Sequence, residues 1–256
     1  MPSETRPRVR NPYAEAISLP PPFKLVTLRE VGDAFAHARS IAGPDTAGTL
    51  VYVGRFDLVE FALILEPEEA LRTARRVHHA GMIALADALA AHAPPEKPIA
   101  IRWPGTVTVD EGVVGGGRLA WPEDVPESAV PDWLVFGGMI RTVSLGADEP
   151  GLHPLTAALE DEGFDGLESG RLVESFARHF LLALDTWYEQ GFAALARQYV
   201  TRLAREPGLL DAPRELDEAG DLMVRPVAGG APQRRGLVAA LRSPEWLDPQ
   251  TGGPRG

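Results

Sequence analysis

The sequence predicts an α+β fold: a mixed, mostly antiparallel sheet packed with helices, followed by a small β-rich C-terminal appendage. Three observations predict it. Helical and strand-like stretches follow the order helix, strands, helix, strands, helices, short β tail, without the regular alternation of a doubly wound parallel sheet. Short runs rich in β-branched and aliphatic residues, punctuated by glycine and proline, recur over residues 49–65 and 99–143. Hydrophobic residues make up 45% of a 256-residue chain, enough for one sizeable core.

Residues 1–22 carry Pro2, Pro7, Pro12, Pro20, Pro21 and Pro22 among polar and basic residues, and read as a flexible arm with a stiff extended end. Thr27-Leu28-Arg29-Glu30 matches a capping box. Val31, Ala34, Phe35, Ala38 and Ile41 then return at helical spacing until Gly43-Pro44. Two paired strands are expected at Thr49–Gly54 and Leu58–Leu65. A second helix should start near Glu66-Pro67-Glu68-Glu69, presenting Leu71, Ala74, Val77, Met82, Leu85 and Leu89. The stretch Ile99–Trp121 reads as three short strands, Ile99–Trp103, Thr106–Asp110 and Arg118–Trp121, with a turn at Pro104-Gly105 and the glycine run Gly115-Gly116-Gly117 leading into the third. A strand at Trp133–Val143 contains Gly137-Gly138, where a bulge or a close ligand approach is expected. A long helix from about Ser169 presents Leu172, Val173, Phe176, Phe180, Leu184 and Trp187, breaks at Gly191 and continues through Phe192, Leu195, Tyr199 and Leu203. The fragment Leu216–Arg225 reads as a hairpin turning at Gly220. The expected organisation is an arm (1–22), a main domain (23–206) and the appendage (207–256).

Composition excludes several kinds of function. The net charge of −11 argues against a general binder of nucleic-acid backbone. No apolar run approaches a membrane span and no signal-peptide pattern opens the chain, so a soluble cytoplasmic protein is expected. The absence of cysteine removes disulfides, thiolate metal sites and cysteine nucleophiles. Of 25 basic residues only Lys24 and Lys97 are lysines, which leaves little choice for a catalytic amine.

Standard catalytic signatures are missing: no G-x-S-x-G elbow, P-loop, G-x-G-x-x-G or H-E-x-x-H motif is present. His78 and His79 are neighbours on a predicted helix. Their side chains diverge by about 100°, so they are expected to be surface or partly packed imidazoles rather than metal ligands. His179 suits a structural hydrogen bond, and Glu160-Asp161-Glu162 a solvated face. No metal site is expected. The stretch Arg102-Trp103-Pro104-Gly105-Thr106, followed by Val113-Val114-Gly115-Gly116-Gly117-Arg118-Leu119, stands apart. It suits a tight turn and a bulged hairpin. It suits equally a ligand site, where bare backbone and flanking arginines receive a carboxylate or phosphate.

The same stretch resembles the signature of the biotin/lipoate A/B protein ligase family. That signature is a basic residue, Trp-Pro-Asn-Asp and a short strand, then lysine, an aliphatic, a small residue and glycine. Arg102-Trp103-Pro104 matches the first part and Val114-Gly115-Gly116 the end of the second. Leu71–Ala91, Trp133–Val143, Ser169–Leu203 and Leu216–Val224 resemble the elements around it, so the likeness spans about residues 23–225. No helix-turn-helix precedes the domain, and the DNA-binding form of the family is not implied.

The resemblance implies an ATP- and Mg-dependent ligase. It would join biotin, lipoate or octanoate to AMP and pass the acyl group to a lysine of a biotinyl or lipoyl carrier domain. It also exposes departures. Val113 stands where the family has its catalytic lysine, Gly105-Thr106 replaces Asn-Asp, the adenylate loop shrinks to Gly54-Arg55-Phe56, and Arg141 falls near the expected asparagine. Three readings follow: a ligase in which Arg118, Arg102 or Arg55 replaces the lysine, a transferase using a nucleophile other than cysteine, or a non-catalytic binder of acyl groups, cofactor or carrier. In each the expected crevice lies between the 102–104 turn and the 115–117 glycines. Arg118 and Arg102 are the candidate catalytic cations. Arg55, Trp103, Pro104, Val113, Gly115, Gly116, Gly117 and Phe136 are the candidate binding residues, with Val114 adding to the apolar wall. Gly115–Gly117 buried behind packed side chains, with no cavity, would argue against the ligase and the binder readings alike.

Overall fold

The computed structural model describes residues 17–144, 156–206, 212–227 and 229–255. Most of the expected arm therefore lies outside the described residues. Strand β1 (Lys24–Leu28) enters first and pairs in parallel with β2 (Thr49–Gly54), and helix α1 (Ala34–Ile41) lies between them in the chain. This corrects the expected capping box at Thr27–Glu30. Sheet pairing keeps the chain extended through Leu28, a turn follows with Gly32 N–H donating to Arg29 O, and Val31 is 96% exposed. Asp33 is the true N-cap, its carboxylate accepting from Ala36 N–H at 2.8 Å.

Strand β3 (Leu58–Leu65) returns antiparallel to β2. Helix α2 (Leu71–Ala74) is a single turn leading into α3 (Val77–Ala90), which is buried on nearly every side. Gly81 allows this: a Cβ there would strike the Phe136 ring. Then come β4 (Ile99–Arg102), β5 (Thr106–Val109), β6 (Gly112–Ala120) and β7 (Leu134–Arg141), all antiparallel. The seven-stranded sheet has the order β1-β2-β3-β7-β6-β5-β4. No bulge forms at Gly137-Gly138, which pair in register with Ala62 and Phe61. Their missing side chains instead admit the rings of Phe35 and Phe61. The register shifts between β5 and β6, where a Cβ on Gly115 would collide with Met139 O.

Helices α4 (Ser169–Gln190) and α5 (Phe192–Thr201) pack with α3 on one face of the sheet; Gly191, at φ 80°, separates them. Phe136 stacks on Phe176 with centroids 5.7 Å apart. The other face receives α1, with Ala34, Phe35 and Ala38 against Val51, Val53, Ala62, Ile64 and Val135. The expected hairpin is present as β8 (Arg214–Leu216) and β9 (Leu222–Val224). Strand β10 (Gln233–Arg235) completes a small sheet of order β10-β9-β8. Helix α6 (Leu237–Arg242) follows, its first N–H held by buried Asp221 at 2.7 Å. No helix among the described residues is long and apolar enough to cross a membrane.

Candidate functional site

Side chains on a strand alternate between faces, and this divides the expected crevice. On the helix-covered face lie Trp103, Gly117 and Phe136. Trp103 packs among His79 and Tyr199, with centroids 5.6 and 6.1 Å away. A Cβ on Gly117 would meet Met82 and Phe136. Trp103-Pro104 is a cis peptide, and the Pro104 carbonyl accepts from Tyr199 Oη at 2.7 Å and from His78 Nε2 at 3.1 Å. These residues shape the bend from behind.

His78 and His79 are fully buried, which corrects the expectation of surface or partly packed rings. Their rings do diverge, but toward two separate carbonyls: His79 Nε2 donates to Gly220 O at 2.9 Å. A carbonyl only accepts, so each Nε2 carries the proton, and neither Nδ1 has a partner. Burial pushes His78 down to about 4 and His79 down to about 3, holding both neutral. His179 is structural as expected, its Nδ1 2.8 Å from Ser175 O.

The opposite face carries the charged groups. Gly116 and Arg118 alternate with Gly117 on β6 and share that face with Glu60, Met139, Arg141, Val113 and the α1 N-terminus. Arg118 lies with its guanidinium 4.0 Å over the Phe35 ring. Its Nη2 is 3.6 Å from Asp33 and 4.0 Å from Glu60, and burial draws its pKa below the usual arginine value. Glu60 is buried, its Oε1 accepting from Ala34 N–H at 2.8 Å. Burial raises its pKa, the Ala34 hydrogen bond opposes this, and Asp33 adds to it; Arg118 and Arg55 act against it.

The remaining arginines differ in what meets their charge. Arg55 forms a two-pronged pair with Asp57, at 3.0 and 2.7 Å. Arg102 is half-buried at the sheet edge and donates to Glu111 O at 2.7 Å. Arg141 donates from one Nη2 to two main-chain carbonyls, Pro254 O at 2.7 Å and Arg255 O at 3.1 Å. Among the described residues no carboxylate lies within ion-pair distance of it, and burial lowers its pKa.

A side chain covers the bare backbone of this face. Trp246, 2% exposed, lies over Gly116, and its indole Nε1 donates to Gly117 O at 3.3 Å. It packs with Leu58 and Met139, and Val113 and Leu247 adjoin them. The segment carrying it is a closed loop: Arg255 N–H donates to Trp246 O, Asp248 N–H to Gly253 O, and Leu247 bridges to Pro254. An open crevice over the glycines is thus not what the chain displays. Gly105 N-terminal to β5 and Gly117 are nevertheless joined by a 2.8 Å backbone bond, so the bend and the glycine strand adjoin as expected. Sequence reasoning missed Asp33, Glu60 and Trp246. A lone glutamate inside the apolar run Leu58–Leu65 was the one available signal.

Comparison with known proteins bears on what this face is for. The sequence model of the biotin/lipoate A/B protein ligase family matches residues 19–201. The chain belongs to this family. A biotin–[acetyl-CoA-carboxylase] ligase of Paracoccus denitrificans is 28% identical over 187 residues, 65% of this chain and 73% of that protein. Among solved structures, a biotin protein ligase-like protein of unknown function from Silicibacter sp. TM1040 has 25% identity and a TM-score of 0.72, covering 87% of this chain and 98% of its own. The biotin protein ligase of Aquifex aeolicus in complex with biotin and ATP has the same fold. Its TM-score is 0.62 at 16% identity, with 84% of this chain and 97% of that one covered. The family match ends well before Trp246, so the residue over Gly116 comes from outside the matched region.

Proposed function

We propose that the chain activates biotin, or a related apolar-tailed carboxylic acid, with ATP on the sheet face opposite α3–α5. The acyl group then passes to a carrier-protein lysine, with residues 23–206 as the catalytic unit. The acid's carboxylate oxygen attacks the α-phosphorus of ATP. That forms the acyl-adenylate and expels pyrophosphate. The carrier amine then attacks the acyl carbon, and AMP leaves as the amide forms.

One observation carries this reading: on a strand of the family-matched sheet, side-chain-free Gly116 and cationic Arg118 face the same way. Two unit charges 4 Å apart at an effective dielectric of 20 repel by about 4 kcal/mol. A fixed cation offsets that cost when carboxylate meets phosphate. Val113, at the family lysine's place, supplies no charge, so Arg118 takes the role, backed by Phe35. ATP supplies the leaving group and the AMP that activates the acid. Its Mg would be carried by the phosphates, since the described residues include no cluster of three metal-binding side chains.

A second reading, an acyl binder without adenylation, is favoured by one feature. Arg118 already faces Glu60 and Asp33, which reduces the charge it offers to two anions. Acid-dependent exchange of pyrophosphate into ATP separates the two. The ligase reading expects exchange with biotin, reduced at least 100-fold by Arg118→Ala and increased by Val113→Lys. Biotin binding by calorimetry with no exchange would establish the binder instead.

A further inference from the structure

Trp246 and the carbonyls on Arg141 belong to one segment, and together they have the chemistry of a ligand. The indole is a fused, planar, mostly apolar ring system with one N–H, and that N–H donates to the Gly117 carbonyl. The ring lies against Gly116, where only a residue without a side chain leaves room for it. Across the same closed loop, the oxygens of Pro254 and Arg255 both accept from Arg141 Nη2. Both acceptors are neutral main-chain oxygens, so the guanidinium meets no anion there, and a carboxylate would bind it more strongly. Arg255 N–H donates to Trp246 O at 2.7 Å, so ring and oxygens move as one piece.

We propose that the segment Pro244–Arg255 is an internal mimic of the substrate acid, seated in the acid's own place. The ring of the acid replaces the Trp246 indole over Gly116, and its carboxylate replaces the two carbonyl oxygens on Arg141. Arg141 therefore anchors the carboxylate, leaving Arg118 to meet the phosphate that approaches it. It suits the task because, among the described residues, it is the half-buried arginine of this face with no carboxylate within ion-pair distance, whereas Arg118 and Arg55 are already met by acidic side chains. A carboxylate carries a full charge and a pair of carbonyls only partial ones, so the exchange favours the acid at Arg141. The same exchange imposes selectivity. The acid must carry a ring or chain able to repay the burial of Trp246, and small acids such as acetate leave the segment in place. This inference rests on the proposed acid site and adds how that site is closed and what anchors the acid.

The test uses the full chain with biotin, octanoate and acetate as probes. Hydrogen exchange followed by NMR on the unmodified protein needs no variant: saturating biotin or octanoate should speed exchange of the Trp246 indole N–H, whose bond to Gly117 O the displacement breaks, at least tenfold, and acetate should not. By calorimetry, Trp246→Ala should bind biotin at least tenfold more tightly, and Arg141→Ala at least tenfold more weakly than the unmodified chain. If the unmodified chain binds biotin while the Trp246 indole N–H stays as protected as before, the mimic is overturned and the proposed function stands. If biotin binding frees the segment but Arg141→Ala binds as well as the parent, Arg141 is not the anchor and the proposal fails in that half. If no acid binds to the parent or to Trp246→Ala, the proposed function and the mimic fall together.

Discussion

The two faces of the main sheet are built on opposite terms. Behind β5, β6 and β7 the helices seal an apolar interior whose polar groups are neutral and tied to main-chain carbonyls: His78, His79 and Tyr199. In front, the buried or half-buried groups are ionisable: Glu60, Arg118 and Arg141. Burying charge costs far more than burying a neutral imidazole unless partners are close. The front face thus holds the buried charge that the proposed chemistry would use, and the rear face holds most of the apolar core.

Phe136→Ala tests the rear face with the largest expected effect. Truncating a ring stacked on Phe176 should cost about 3–5 kcal/mol, read as a lower midpoint in denaturant. A loss below about 1 kcal/mol would mean that this face is not the core.

Acidity should separate the faces by sign. His78 and His79 stay neutral in the folded chain well below 6.5, whereas the unfolded chain takes up protons there. Stability therefore falls as pH drops from 6.5 toward about 4 and about 3. For His78 the full loss is roughly 3 kcal/mol. Glu60 runs the other way. Its raised pKa lets the folded state keep a proton that the unfolded state has shed, so its contribution is complete below 4.5 and fades as pH rises through the folded value. Glu60→Gln should remove the second trend and leave the first. Denaturation profiles of both proteins from pH 3 to 8 check this, and identical slopes above 4.5 would break the contrast.

Arg55→Ala should change least. Its pair with Asp57 is at the rim, 36% exposed on the arginine side, and such pairs contribute no more than about 1 kcal/mol. A loss of biotin binding without loss of stability would move Arg55 from the rim into the acid site.

Much of this was legible from residue periodicity. The strands at 49–65 and 99–141 and the break at Gly191 follow from apolar spacing and glycine placement, and Arg102-Trp103-Pro104 pointed to the family. The faces were misjudged for a definable reason. Trp103 and Phe136 do not share the face of Gly116 and Arg118: counting by twos sets Trp103 with Ile101 and Phe136 with Leu134, toward the helices. Strand β1 was hidden because five residues at an edge carry no distinctive alternation. Trp246 was beyond reach: it meets Gly116 across more than a hundred residues, and nothing in its surroundings of proline, glycine and charge marks it as buried.

One feature at the sheet's far margin constrains assembly. Ile101 N–H donates to Arg202 O and Ile101 O accepts from Ala204 N–H, so the chain leaving α5 lies along the middle of β4. That occupied border denies a second polypeptide the hydrogen bonds it would need to extend the sheet from β4. A partner approaching from that side finds the main chain of Ile101 already taken and would depend mainly on side chains.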